Sequence, residues 1–482
     1  MLTSHALRPA LLTAAFLLAA AASSGQPPAA SPFAPFLDRT MRVDVYHTGS
    51  AGREIVSLDR VVSDGPWAGS RTQLVDDSNL GPYLFEVVDR ATNRAIYSRG
   101  FASMYGEWES TAEAGQGVAR TFHESLRFPW PKAPVQVVVK KRDRENAFRE
   151  VWSTIVDPAS RFVTAAEIQP QGRVWTVFES GPPATKVDLL ILGDGYSEAQ
   201  LPKFHADVKR LVEVLFQHEP FKSRRGDFNV RAIDLPTPRS GVNRPRTGDF
   251  RRTPLGVSYN IFDSERYALT EDNRSVRDIA SAAPYDFLEI LINEEHYGGG
   301  GIFNDHATAA VDTAFAEYIF VHEFGHHFAA LGDEYYTSDV AYETGATERP
   351  EPWEPNITAL KDPGRLKWGD LAAPGTPIPT PWDKAAFEEH SRQVQEKRRQ
   401  LRAANAPESE MNALLTSELE WDTSLLGGQK YAGRVGAFEG AAYEVKGLYR
   451  PEADCIMFTR DRVGFCRVCQ RAIARIVDMY SK

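Results

Sequence analysis

Two histidines stand four residues apart in the chain, and a glutamate directly follows the first of them: His322, Glu323 and His326. The preceding residues 314–320 have helical character and contain neither proline nor glycine. Because positions four apart lie on one face of an α-helix, both imidazoles can bind a single metal ion. The spacing therefore predicts a helix that carries a zinc ion on its surface, and the fold must bring further ligands to the same face.

Glu323 lies on the neighbouring face of this predicted helix, where it can take a proton from a water molecule on the metal. Zinc lowers the pKa of such a water to about 7, so a carboxylate is a sufficient base at neutral pH. We therefore predict one catalytic zinc ion, bound by His322 and His326, with Glu323 as general base. In the alternative interpretation the two histidines are packed helix residues that bind no metal.

A catalytic zinc ion normally keeps three protein ligands and one open position, so a third ligand must follow. Gly332 is the predicted helix stop, because glycine tolerates the left-handed cap conformation. The chain then presents Asp333 or Glu334. We favour Asp333, whose short carboxylate needs less reach after the turn, and keep Glu334 as the alternative. The pattern is metzincin-like with a longer turn, since metzincins place the third ligand at the position of Gly332 and a glycine at that of Ala329.

The first residues of the chain predict export. Residues 1–22 read as a signal peptide, with Arg8 as its one positive side chain and a weakly apolar run at 10–22 that is too short to span a bilayer stably. An N-terminal membrane anchor is the alternative. Residues 23–37 are rich in Pro, Ala and Ser and predict a linker. We expect a secreted or periplasmic protein without a stable membrane anchor after signal cleavage.

Two folded parts are predicted beyond the linker. Residues 38–165 show short alternating strand patterns and predict a β-sandwich. Residues 173–482 alternate apolar strands, such as 187–192, with amphipathic helices and predict an α/β domain. A polar segment at about 383–418 predicts a helical insertion, either a surface arm or a lid over a cleft. Four consecutive glycines at 298–301 predict an edge strand beside the zinc helix or a flexible loop.

The three cysteines of the chain lie near its end and are too few for a four-cysteine zinc site. In an exported protein Cys455 is expected to pair with Cys466 or Cys469, and the sequence leaves the choice open. Met457 fits a Met-turn, an apolar floor beneath the zinc ligands.

The charge excludes one large class of partners. The chain carries 55 Lys and Arg against 65 Asp and Glu, a formal net charge of −10. Phosphate backbones repel such a chain, so we predict no nucleic-acid partner.

Together these segments make the chain similar to the immunoglobulin A peptidase family of bacterial zinc metallopeptidases. The resemblance lies in residues 192–197, 322–335, 435–443, 454–457 and 465–469, and in 67–71 and 97–101 of the first part. It implies an N-terminal β-domain, zinc at His322 and His326, Glu323 as base and an acidic third ligand in Asp333–Glu334. It does not imply that immunoglobulin is the substrate.

The resulting hypothesis is an exported zinc endopeptidase that hydrolyses proteins or peptides outside the cytoplasm. Tyr335, Tyr336 and Tyr449 are candidates to stabilise the oxyanion. The alternative is a non-catalytic surface protein that binds glycans or host protein, against which the intact His322, Glu323 and His326 argue. The natural substrate, the cleavage specificity and the oligomeric state stay open.

Overall fold

The helix that carries His322, Glu323 and His326 packs on a six-stranded sheet in the second part of the chain. The computed structural model describes residue 1 and residues 31–166, 169–338 and 350–482. Apart from Met1, the predicted signal peptide at residues 1–22 lies outside this range. Within the described residues, no helix is both long and apolar enough to cross a bilayer.

Two four-stranded sheets form the first part and share one hydrophobic core. Their orders are β5-β1-β2-β8 and β4-β3-β6-β7. Val43 from one sheet and Val87 and Val137 from the other are fully buried in the common core. The strands are β1 (Phe36–Ser50), β2 (Arg53–Ser63), β3 (Tyr83–Asp89), β4 (Arg94–Phe101), β5 (Arg120–Pro131), β6 (Val135–Arg142), β7 (Phe148–Val156) and β8 (Val163–Thr164), and two short helices, α1 (Met104–Trp108) and α2 (Ala112–Gly115), precede β5.

The second part is built on a sheet with the order β13-β14-β12-β10-β11-β9. Its four inner strands are parallel and its two outer strands antiparallel. Every residue of β10 and β12 is buried, as expected for parallel strands covered on both faces. The strands are β9 (Arg173–Phe178), β10 (Val187–Asp194), β11 (Phe228–Asp234), β12 (Phe287–Ile292), β13 (Gly299–Ile302) and β14 (His306–Ala310), and a hairpin of β15 (Phe438–Ala441) and β16 (Glu444–Arg450) follows later.

The helices of the second part include the one that carries the motif. They are α3 (Leu201–Leu215), α4 (Asn273–Ala280), α5 (Ala316–Ala329), α6 (Lys384–Ala403), α7 (Glu408–Gly427) and α8 (Arg467–Ser481). Helix α5 packs on β13 and β14. It buries Phe320, Phe324 and Phe328, which are spaced four apart. The apolar residues between the polar motif positions therefore anchor the helix in the core.

The predicted helical insertion is a pair of helices, α6 and α7, and it extends past the predicted end at 418. Phe387, Val394 and Leu401 of α6 are buried, and so are Leu415 and Leu426 of α7. Residues beyond 418 are less polar than those before, so composition placed the boundary too early.

A buried ionic cluster joins the two parts of the chain. Arg42 on β1 is fully buried, and its guanidinium donates to Asp44 at 2.9 Å and to Asp64 at 2.5 Å. The same guanidinium also donates to Asp278 on α4. A buried guanidinium is tolerated only when its charge is paired in this way.

The imidazole of His47 on β1 makes the stability of the first part depend on pH. It is buried, lies 3.1 Å from Glu124 and 2.9 Å from Glu54, and stacks on Tyr105. Burial by itself lowers the pKa of His47, but the two carboxylates outweigh it and raise this pKa to about 9. Since the folded pKa lies above the unfolded value of about 6.5, the stabilisation is complete below pH 6.5 and is lost as pH rises through 9.

The free energy of unfolding of the wild type should exceed that of His47→Gln at pH 6. We expect this difference to decrease by up to about 3 kcal/mol between pH 6 and pH 9.5. Urea unfolding of both proteins at several pH values measures it. If the unfolding free energies of the two proteins differ by the same amount at every pH in this range, the raised pKa of His47 is contradicted.

Candidate metal centre and active site

The two motif histidines present the same ring nitrogen to one point. The Nε2 atoms of His322 and His326 lie 3.1 Å apart. Nδ1 of His322 is 2.9 Å from the carbonyl oxygen of Ile456, and Nδ1 of His326 is 2.5 Å from that of Leu331. A carbonyl only accepts, so each Nδ1 carries the proton and donates. Each Nε2 is thereby directed at the same point, where a metal ion can take the place of any proton.

Helix α5 ends at Ala329, and Ala330 takes the left-handed conformation with φ 55°. The prediction that Gly332 stops the helix is therefore wrong. The Ala330 amide donates to the carbonyl of His326 at 3.0 Å, and the Leu331 amide to that of Gly325 at 3.4 Å. The side chain of Leu331 is buried, and its burial offsets the strain of a left-handed alanine.

Gly332 serves close packing instead. A Cβ atom there would lie 2.9 Å from Cγ1 of Ile357. The amide of Gly332 donates to Oδ1 of Asn356 at 2.8 Å, and Nδ2 of Asn356 donates to the carbonyl of Gly332 at 2.9 Å. These two hydrogen bonds with Asn356, a residue outside the helix, thus fix the conformation of the turn.

The turn returns Asp333 to the two histidines. Its Oδ1 lies 3.1 Å from Nε2 of His322 and 3.2 Å from Nε2 of His326. Around zinc, with bonds of about 2.0–2.1 Å, the edges of a tetrahedron measure about 3.3–3.4 Å, so the three donor atoms fit a zinc ion closely. The other oxygen, Oδ2, accepts a hydrogen bond from the hydroxyl of Tyr443.

Glu334 points away from this group. Its Oε1 accepts from Nδ2 of Asn356 at 3.0 Å and from the thiol of Cys469 at 3.4 Å. The structure therefore brings Asp333, and not Glu334, to His322 and His326.

The electrostatics of the group favour a cation. Burial raises the pKa of Asp333, but His326 and His322 outweigh it and hold this pKa well below the ordinary range. Burial lowers the pKa of His326, while Asp333 raises it to about 9. The carboxylate thus stays ionised and is an anionic donor beside two imidazoles.

Glu323 lies next to this group and lines the same cleft. Its carboxylate and the ring nitrogens of His322 and His326 include donor atoms that all lie within 4.8 Å of one another. Burial raises the pKa of Glu323 above its ordinary value, although the two histidines act in the opposite direction. A carboxyl with a raised pKa is better matched to accepting and returning a proton near neutral pH.

Met457 lies under α5. It is fully buried, and its sulfur is 3.0 Å from the position that a Cβ atom would take on Gly325. Its carbonyl accepts from the Glu334 amide at 2.8 Å. The turn that contains Met457 is therefore bonded directly to the segment that carries Asp333.

His327 takes no part in the group. Its Nδ1 donates to the carbonyl of Ile302 at 3.0 Å, and its Nε2 accepts from the Leu288 amide at 3.2 Å. Burial lowers its pKa to about 3. His327 is therefore neutral, and its two hydrogen bonds connect α5 to β12 and β13.

A cleft of about 420 Å³ opens over Glu323 and the histidines. The α6–α7 pair forms part of its wall through Gln395 of α6 and Glu418 of α7. Glu418 accepts from Arg460, another lining residue, at 2.8 Å. The insertion is thus part of the cleft wall and not a detached surface arm.

One of the three candidate tyrosines lines the cleft. The Tyr335 hydroxyl oxygen accepts from Nη2 of Arg266 at 2.8 Å, and both side chains face the cleft. In the part of the chain that the structure describes, Tyr336 and Tyr449 are not among the lining residues. Tyr443 and Arg266 are site residues that the sequence analysis did not assign. Tyr443 stands in a segment that the resemblance quotes, whereas no sequence pattern points to Arg266.

The glycine run forms the edge strand β13. A Cβ atom on Gly301 would lie 2.2 Å from the carbonyl oxygen of Glu323 and 3.0 Å from Cβ of His326, so only glycine allows this approach to α5. The outer edge is partly paired already, because the Gly299 amide donates to the backbone carbonyl of Arg266 at 3.1 Å and the Gly299 carbonyl accepts from the amide of Ala268 at 3.4 Å. A bound peptide could pair with this strand only beyond Gly299.

Sequence profiles of two families match the chain. The profile described as IgA Peptidase M64 covers residues 176–477, and that described as Peptidase M64 N-terminus covers residues 33–153. The search of curated proteins found no match to the chain. The first match alone covers more than half of the chain and contains the histidines, Glu323 and Asp333, and the two matches together confirm the resemblance and a two-domain architecture. The chain therefore belongs to the IgA peptidase M64 family, which supports a peptidase acting on proteins or peptides.

Proposed function

We propose that the protein is a zinc-dependent endopeptidase with one catalytic zinc ion held by His322, His326 and Asp333. The observation that carries the proposal is the triangle of two Nε2 atoms and Oδ1, with edges of 3.1 to 3.2 Å, at the cleft. Three protein ligands with access to a cleft are typical of catalytic zinc sites.

Glu323 is the proposed general base. A bound zinc ion would acidify a water molecule and polarise the scissile carbonyl group. Glu323 takes the proton from the attacking water and returns it to the leaving amine. Its burial supports this role, because a raised pKa makes the second transfer easier.

Tyr335 is the proposed donor to the oxyanion. Its oxygen already accepts from Arg266, which leaves the hydroxyl proton to donate. Arg266 also fixes the ring, so the donor is positioned before the reaction starts.

Export and the finer fold assignment complete the proposal. We propose that the protein acts outside the cytoplasm, in the periplasm or the medium, on the strength of the signal-like residues 1–22. The common core of the two four-stranded sheets supports a β-sandwich in the first part. The tight turn after α5 and the buried Met457 support a metzincin-like site in the second.

We expect Glu323→Gln to keep its zinc but to cleave casein roughly 10²–10⁴-fold more slowly, because it removes the base and keeps the shape of the side chain. Metal analysis and a casein assay on the same preparations measure both effects. Chelator treatment of the wild type, followed by zinc, is the control and should abolish and then restore cleavage. Cleavage at the wild-type rate by the variant, or by the chelated wild type, would overturn the proposal.

We expect Asp333→Ala to raise by more than about 100-fold the zinc concentration that restores half of the cleavage to metal-free protein, or to prevent restoration. Glu334→Ala should raise it less, about 10–100-fold, because Glu334 turns away from His322 and His326 and acts on this site only through the neighbouring Asp333. The comparison shows which of these two neighbouring carboxylates is the third zinc ligand. The reverse order would make Glu334 the third ligand.

We expect Tyr335→Phe to lower kcat by roughly 10²–10³-fold with little change in KM, because the lost donor acts on the transition state. Tyr449→Phe removes a hydroxyl outside the cleft and is the matched control, expected near the wild-type rate. Equal effects of the two substitutions would refute the role of Tyr335.

A further inference from the structure

A second group of metal-binding side chains lies outside the cleft. It consists of Glu334, Cys455, Cys466 and Cys469, and we call it the cysteine cluster. All four residues are buried, with exposures of 0 to 5%. Of the residues that the structure describes as lining the cleft, none belongs to this group. The cluster joins the segment after α5, the turn before Met457 and the start of α8.

The thiols are not disulfide-bonded. All three cysteines are free, and the sulfur atoms of Cys455 and Cys469 are 3.9 Å apart, far from the bond length of about 2.05 Å. The expected disulfide of Cys455 with Cys466 or Cys469 is therefore absent from the structure. A disulfide between any two would leave the third thiol buried and without a disulfide partner.

The spacing of the donor atoms fits a tetrahedral zinc ion. The ligand atoms of the four residues all lie within 4.8 Å of one another. Zn–S bonds of about 2.3 Å imply sulfur–sulfur edges of about 3.8 Å, and a Zn–O bond of about 2.1 Å implies a sulfur–oxygen edge of about 3.6 Å. The observed edges are 3.9 Å between Cys455 and Cys469, and 3.4 Å between Cys469 and Glu334. Cys466 and Cys469 also have the two-residue separation common in zinc sites.

One oxygen of Glu334 has no hydrogen-bond partner among the residues that the structure describes. Oε2 is buried and makes no hydrogen bond, while Oε1 is bonded to Asn356 and Cys469. A buried carboxylate oxygen without a partner is costly, and a cation among the thiolates would remove that cost.

The surroundings suit thiolates. The Cys466 amide donates to the sulfur of Cys455 at 3.2 Å, and the Cys469 amide lies 3.5 Å from the sulfur of Cys466. Cys466 is the N-cap of α8, a helix of 15 residues, so two of the thiols lie at the positive end of a helix dipole.

We propose that Glu334, Cys455, Cys466 and Cys469 bind a second, structural zinc ion. Three thiolates and one carboxylate select zinc over the hard cations calcium and magnesium. Four buried protein ligands leave no position for water or substrate, so the site is closed. Glu334 directly follows Asp333, and Cys455 stands just before Met457. The ion therefore fixes the segment that carries the proposed third ligand of the catalytic site to the turn beneath it.

The test counts zinc in the full-length protein, purified without chelators. We expect two zinc ions per chain, of which the thiol-specific reagent p-hydroxymercuribenzoate releases one. Alkylation in denaturant without a reductant should label all three cysteines. Mercurial-releasable zinc reports on the cysteine cluster alone, so its presence or absence is independent of the peptidase proposal.

Two variants separate the sites. His326→Ala should retain the mercurial-releasable zinc, and Cys466→Ser should lose it while the zinc that the mercurial does not release remains. If Cys466→Ser fails to fold, the wild-type measurements decide. No zinc released by the mercurial, or only one alkylatable thiol, would overturn the proposal in favour of a buried disulfide or of metal-free thiols.

Discussion

The reversal of the chain after α5 is the constraint on which the candidate active site depends. A left-handed Ala330 ends the helix, and Leu331 is buried beyond it. The Leu331 carbonyl accepts from Nδ1 of His326, so the turn also fixes the tautomer of that imidazole. Asp333 then lies over both Nε2 atoms. One short turn thus sets the orientation of a proposed ligand and delivers the third donor atom, which is an efficient way to preorganise a metal site.

Two glycines let other segments approach α5 from different sides. Gly301 of β13 meets the backbone at Glu323, and Gly325 of the helix itself meets the sulfur of Met457. The helix therefore lies between the sheet edge and the Met457 turn, and a Cβ atom at Gly301 would clash with the backbone of Glu323. If the cysteine cluster binds zinc, it adds a third restraint, because it holds the residues next to Asp333 and Met457 together. A rigid frame of this kind keeps donor atoms in place without relying on the metal ion alone.

The sequence was informative where the chemistry is local. The four-residue spacing of His322 and His326 needs only helix geometry, and the preference for Asp333 over Glu334 needed only the reach of a carboxylate after a turn. The helix stop was misplaced because the burial of Leu331, a tertiary contact, outweighs the preference of glycine for left-handed conformations. Arg266 was missed for the same kind of reason, since it reaches Tyr335 from a loop far away in the chain. The cysteines were expected to pair because the chain is predicted to be exported, and the sequence does not show that Glu334 turns toward them.

The most direct test of the central claim is anomalous diffraction at the zinc absorption edge from crystals of the purified protein grown with zinc. The account predicts a strong peak at about 2.0–2.2 Å from Nε2 of His322, Nε2 of His326 and Oδ1 of Asp333, on the side that faces the cleft. The claim would be contradicted if these three side chains had well-ordered density and were hydrogen-bonded to one another, with no anomalous peak between them.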